Sequence, residues 1–245
     1  MVALVCIIAL LTAVEYQATD YQTVEYETVE SWSHHRELMI ARGSSEAEAD
    51  SLITRSLAAL KDLDRSAGND RIGDAAPPFR FDGWINTEPM TLEDLRGRVV
   101  LVRWWTDTCP FCASSAPALR KLHDTYSDKG LTVVGVFHPK AGMDDPLDVA
   151  RVQHSVDTRR FQFPIAIDWD WREQTLKDWW LTGPVRRATS VTFLLDKDGV
   201  IQLVHPGMEY HHAEDTDSNH DPTDHAVCVQ DMASIEATIV KLLAE

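Results

Sequence analysis

The sequence predicts an α/β fold built on a mixed sheet, and three observations carry that prediction. Short apolar segments rich in Val, Ile, Leu, Phe and Trp alternate with segments of helical period between residues 98 and 181. Two further apolar segments are then joined by Asp196-Lys197-Asp198-Gly199, a hairpin signal. The chain closes on an amphipathic helical stretch. With 44% hydrophobic residues and eight Trp in 245 positions, the chain has enough apolar mass for a core and is not intrinsically disordered.

Taken in order, residues 1–14 form a first unit. Val2 to Val14 is one apolar run, shorter than the roughly 20 residues a membrane-spanning helix needs. It has the length of a signal-peptide core, but no basic residue precedes Arg36 and Cys6 follows Ala-Leu-Val, a poor lipoprotein signal. Export signal, short anchor and packed N-terminal element all stay open, and with them an exported, membrane-anchored or cytoplasmic location. Membrane contact is expected only if this segment is an anchor. Residues 15–71 form an acidic linker and a helical extension. Glu15 to Ser31 is polar and acidic, with a strand as the alternative for Thr23 to Glu30. His35 to Leu63 reads as two helices broken at Gly43-Ser44-Ser45, the second opened by a Ser45/Glu48 capping box. Ser66 to Pro78, rich in Gly, Asn, Asp and Pro, is the boundary.

Residues 72–245 form the main domain. Arg98 to Trp105 is a buried strand, Cys109 to Asp128 a helix, and Leu131 to Phe137 the second strand. Asp145 to Arg160 has Leu147, Val149, Val152 and Val156 at helical spacing. Phe163 to Ile167 is a short strand and Trp171 to Leu181 a helix. Val191 to Leu195 and Val200 to His205 make the hairpin, and Met232 to Leu243 the last helix. Against 39 Asp and Glu stand 23 Lys and Arg, a formal net charge of −16, which repels phosphate backbones and excludes general nucleic-acid binding. Four Cys are too few for a disulfide scaffold, and what matters is that two of them form a C-x-x-C pair.

That pair lies in VVLVRWWTDTCPFC, residues 99–112, an apolar strand running into a helix. Pro110 occupies a first-turn position, where its missing N–H costs nothing. The orphan N–H groups and positive dipole end of the helix favour a thiolate at Cys109. An ordinary thiol near pKa 8.5 is mostly protonated at pH 7, and a shift to about 6.5 reverses that. Zinc ligation and inert buried thiols are the competing readings of the spacing. Together with IGDAAPPF (72–79), LEDLRGRVVLV (92–102) and VTFLLDKDGVIQLVHPG (191–207), the segment resembles the thioredoxin-fold proteins, in particular the TlpA-like and redoxin thiol-disulfide oxidoreductases. The resemblance spans Ile72 to Glu245. It implies a thioredoxin-like sheet with an insertion, Cys109 as attacking and Cys112 as resolving thiol, and no organic cofactor. Protein or small-molecule disulfides and thiols are the implied partners. Trp105, Thr106, Pro110 and Phe111 would shape the site, with Phe111 as an apolar rim and Thr189, Ser190 and Val191 supplying the opposite loop.

Three positions depart from the family pattern. Thr108 stands where a Trp often precedes the first Cys. Arg103 stands where thioredoxins carry a buried acid; it either stabilises a thiolate from below or pairs with an acid or solvent. Ser190 replaces a cis-proline, so its peptide bond is expected to be trans, because a non-proline cis bond costs about 2.5–4 kcal/mol. Thr106, three residues before Cys109, with Arg186 or Arg187, suggests a peroxiredoxin-like peroxide reductase as one alternative. A copper chaperone using the C-x-x-C pair is another. His138 is read as a loop residue or a modulator of the thiols, and Trp169, Trp171, Trp179 and Trp180 as core or as a partner groove. In the His-rich C-terminal loop, His220, His225 and Cys228 have a spacing a metal can use, or are incidental; Cys228 could also pair with Cys6.

Overall fold

The computed structural model describes residues 30–58, 64–140, 145–184, 186, 188–207, 209–214 and 222–245. The apolar run 2–14, the strand alternative at 23–30 apart from Glu30, and Cys6 lie outside these residues. Six strands form one sheet in the order β1-β4-β3-β2-β5-β6: β1 (Gly83–Ile85), β2 (Val99–Trp105), β3 (Leu131–Phe137), β4 (Ile165–Ile167), β5 (Thr192–Leu195) and β6 (Ile201–His205). The pairings of β2 with β3 and β3 with β4 are parallel; those of β1, β5 and β6 with their neighbours are antiparallel. This is the mixed sheet the sequence predicts. Among the described residues, five helices flank it: α1 (Trp32–Ala41), α2 (Glu46–Ala58), α3 (Pro110–Tyr126), α4 (Val149–Thr158) and α5 (Pro222–Ala244).

The central strand β2 is buried along its whole length, and its period of two sorts the core. Val99, Leu101 and Trp105 pack on one face with Leu119 and Leu122 of α3 and Ile235 and Ile239 of α5. Val100, Val102 and Trp104 pack on the other with Trp179, Trp180 and Phe193. The same alternation places Arg103 on the first face, under the helix that follows the cysteines.

Sequence and structure part at the Trp-rich insertion. The expected helix Trp171 to Leu181 contracts to a five-residue π-helical turn, Lys177–Leu181. The partner-groove reading of its tryptophans is overturned as well. Trp169, Trp171, Trp179 and Trp180 are all buried, and their indole N–H groups donate to the carbonyls of Asp145, Pro139, Pro77 and Ala188. Four anchors fixed to loop carbonyls fit this segment to its neighbours better than a regular helix would. Gly135 allows the same crowding on the opposite face, because a Cβ there would lie 2.7 Å from Ile165 Cδ1 and 3.1 Å from Trp105 Nε1.

Asp168 organises this insertion from within. Its Oδ2 accepts from Trp104 Nε1 at 3.0 Å and from the Leu176 N–H at 2.8 Å. Burial pushes the carboxyl up to about 6 against those two stabilising bonds. An acid whose folded pKa is raised favours folding while protonated, and loses that contribution as pH climbs from its ordinary value near 4 through 6. Asp168→Asn keeps an acceptor for both donors and removes the titration. The variant should therefore gain stability relative to the native chain by up to about 3 kcal/mol between pH 4 and pH 7.5, read by urea unfolding at both pH values. A pH-independent difference would refute the assignment.

Candidate functional site

The turn from β2 into α3 carries the C-x-x-C pair. Cys109 is the N-cap residue in extended conformation, and its carbonyl accepts from the Cys112 and Ala113 N–H groups at 3.1 Å. Pro110 follows at the first helical position, as expected, and is buried. Both cysteines are free thiols at this helix N-terminus. Cys109 retains 9% of its surface and Cys112 2%, so Cys109 is the sulfur a partner reaches first.

The electrostatics redistribute what the sequence suggests. The thiolate was expected on Cys109; the surroundings place it on Cys112. Burial opposes ionisation of Cys112, but it is outweighed by the hydrogen bond from Cys109, the charge of Arg103, the Ser190 hydroxyl 3.1 Å from Sγ and the charge of Arg159. The balance brings Cys112 down to about 5. Cys109, hydrogen-bonded to that thiolate and buried, is pushed well up. The two thiols form one coupled unit with the proton held on the outer sulfur.

Arg103 is fully buried and does not face solvent; its Nη1 is turned to the loop opposite the thiols. That nitrogen donates to the Ser190 carbonyl at 2.6 Å and to Thr192 Oγ1 at 3.2 Å, and the guanidinium lies 5.1 Å from the Tyr210 ring centre. Replacing it by Met should raise the midpoint of thiolate absorbance in the reduced protein by about one pH unit or more. An unmoved midpoint would remove Arg103 from the account.

The remaining predicted site residues divide. Ser190 faces Cys112 through its hydroxyl, and there is no cis peptide bond among the described residues. The Val191 carbonyl accepts the Trp104 N–H at 2.9 Å and continues the strand pairing, so that oxygen is already engaged. Thr189 is half-buried, and its buried hydroxyl has no hydrogen-bond partner among the described residues. Trp105 is a core residue, edge-on to Phe137 and Phe161 and beneath Arg159. Phe111 is not a bare rim: Trp32 of α1 covers it edge-on, with ring centres 4.8 Å apart. His138 is fully buried against Trp171 and held down at about 3 by its burial and by nearby cations, so it stays neutral and carries no proton near pH 7. Arg186 is committed to both Asp70 oxygens at 2.9 Å and stacks on Trp180, which removes it as a peroxide-binding residue. Arg187, His220 and the side chain of His225 lie outside the described residues.

Three functional residues escape a sequence reading. Asp107 receives Arg151 in a two-point ion pair, with Nε to Oδ2 at 2.6 Å and Nη2 to Oδ1 at 3.0 Å, both side chains buried. Its Oδ1 also accepts from the Thr106 hydroxyl and the Thr108 N–H. Arg159 Nη2 donates to the carbonyls of Thr106 and Asp107. The stretch Thr106-Asp107-Thr108 that aims Cys109 is thus clamped from α4. The only hint in the sequence is polar residues beside a C-x-x-C pair, with no sign of which arginines reach them.

This geometry agrees with comparisons to known proteins. The AhpC/TSA family profile matches residues 72–204. The thioredoxin-like protein YneN of Bacillus subtilis is 32% identical over 135 residues, 55% of this chain and 71% of that protein. The thiol-disulfide oxidoreductase ResA of Bacillus thuringiensis is 28% identical over 131 residues, 54% of this chain and 67% of that protein. A Chlorobium tepidum crystal structure assigned as a DsbE thiol:disulfide interchange protein superposes with TM-score 0.50 and 25% identity, over 70% of this chain and 97% of that one. Other curated relatives are much longer, and the matched stretch spans between a tenth and a fifth of their length. The thioredoxin-like architecture read from the sequence is that of these proteins.

Proposed function

This chain belongs to the AhpC/TSA family, and on that premise we propose that it is a thiol-disulfide oxidoreductase working through Cys109-Pro110-Phe111-Cys112. The carrying observation is the coupled pair: one reachable sulfur at a helix N-terminus, hydrogen-bonded to a deeper sulfur whose charge is supported by Arg103, Ser190 and Arg159. Its partners are protein or small-molecule disulfides and thiols. We read residues 72–245 as the redox domain, 15–71 as an extension and 1–14 as a separate apolar segment.

The reduced state has its base built in. As a partner disulfide approaches, Cys112 takes the proton from Cys109. The Cys109 thiolate attacks one partner sulfur, forming a mixed disulfide and releasing the other as thiolate. Cys112 then gives its proton to the released partner thiolate, because the surrounding cations favour the charge on Cys112. It attacks Cys109 Sγ, closing the Cys109–Cys112 disulfide and releasing the second partner thiolate. Two electrons pass to the partner, and the reverse sequence oxidises a dithiol.

Equilibration of the purified protein in thiol/disulfide buffers of graded potential tests this reading. A single two-electron transition assigned to residues 109 and 112 by mass spectrometry is expected. No transition within the accessible range, or one that persists without these cysteines, would overturn it.

A further inference from the structure

Behind the thiol pair, the segment after β6 and the helix α5 bring three ligand-type side chains together. Glu209, His211 and Cys228 each present one donor atom, and the three atoms lie within 4.8 Å of one another. All are buried, at 1%, 1% and 2% exposure. Of the histidines and cysteine singled out in the C-terminal loop, only Cys228 belongs to this cluster; the other two donors precede them in the chain.

The internal geometry separates a metal from an ordinary ion pair. His211 Nδ1 lies 3.2 Å from the His212 carbonyl, which only accepts, so Nδ1 carries the proton and Nε2 turns its lone pair inward. Nε2 then faces Glu209 Oε1 at 3.5 Å. A charge-assisted hydrogen bond would draw them to about 2.7–2.9 Å. Tetrahedral ligands held about 2.0–2.2 Å from an ion sit about 3.4 Å apart, close to the 3.5 Å between His211 Nε2 and Glu209 Oε1, and Cys228 Sγ lies within 4.8 Å of both.

We propose that Glu209, His211 and Cys228 form a zinc-binding site that fastens the 209–211 segment to α5. One thiolate and one carboxylate neutralise a divalent ion, so the site can be buried without net charge. A set of one sulfur, one imidazole nitrogen and one carboxylate oxygen suits Zn(II): calcium and magnesium take oxygen alone, and Cu(I) favours soft donors over carboxylate. Water takes the fourth position. Tyr210, between two of the ligands, donates its N–H to Ser115 Oγ at 3.2 Å and lies beneath Arg103, so the ion would also steady the cation that supports Cys112. The site is independent of the redox reading and stands or falls separately.

The test uses the full chain carrying Cys109→Ser and Cys112→Ser, so that the redox thiols cannot supply ligands. It is stripped with chelator, then titrated with Zn(II) by calorimetry and with Co(II) by absorbance. One equivalent of Zn(II) should bind and raise Tm, and Co(II) should give a thiolate charge-transfer band. Adding Cys228→Ser should erase that band, and His211→Gln should weaken binding by about 100-fold or more. The near-isosteric Glu209→Gln, which spares the packing, should weaken it about 10-fold or more. The proposal is overturned if the doubly substituted chain binds no metal, or if affinity survives both His211→Gln and Glu209→Gln.

Discussion

Cys109→Ser should lower disulfide exchange by roughly three orders of magnitude or more, while Cys112→Ser should capture the partner instead of releasing it. The two outcomes differ because the two sulfurs sit differently. Cys109 holds the exposed edge and the proton, and Cys112 holds the charge and the deeper position. Serine at 109 leaves no nucleophile within reach of a partner. Serine at 112 removes both the base and the resolving thiol, so the first step slows and the second cannot occur. The mixed disulfide then accumulates and is visible on a non-reducing gel as a band lost on reduction, from which the partner can be identified. Exchange surviving in Cys109→Ser would sink the mechanism, and so would rapid turnover by Cys112→Ser.

The second large effect is on stability. Asp107→Ala should cost about 3–5 kcal/mol, because it leaves the Arg151 guanidinium buried beside a hole. For a chain of this size that corresponds to a fall in Tm of roughly 10 °C. It should also lower exchange activity at temperatures where the protein remains folded, since the same carboxylate holds Thr106 and the Thr108 N–H just ahead of Cys109. Pairing the change with Arg151→Met should recover part of the stability, because no orphan charge is then left inside. If Asp107→Ala unfolds within 1 kcal/mol of the native chain, the clamp does not hold the loop.

How far the sequence reaches depends on whether a feature is local. The strand Leu131–Phe137 is read to the residue, because an apolar, Val-rich run bounded by Gly130 and by His138-Pro139 has one interpretation. The Ser45/Glu48 capping box is equally local, and both reciprocal hydrogen bonds are present. The cysteine pair at a helix start is legible for the same reason. What sequence misses is set by contacts between distant segments. The period of α4 reveals its apolar face and hides the fact that Arg151 and Arg159 turn inward to the cysteine loop. Position 103 can be flagged as unusual, but only the fold shows that its charge lies under Cys112. Trp32 gives no sign in sequence that it will cover Phe111. The two residues that join Cys228 in the buried cluster were lost among neighbouring histidines, because spacing along the chain favours partners that are close in number.

The arginine clamp on the cysteine loop has a consequence for the order of synthesis. Asp107 is separated by 44 positions from Arg151, and its carbonyl by 52 from Arg159. A nascent chain therefore presents both sulfurs to its surroundings well before the residues that will fix their loop have left the ribosome. During that interval the cysteines have only ordinary reactivity and are open to stray oxidation, so a chaperone or reductant acting on the emerging chain would improve the yield of correctly formed protein.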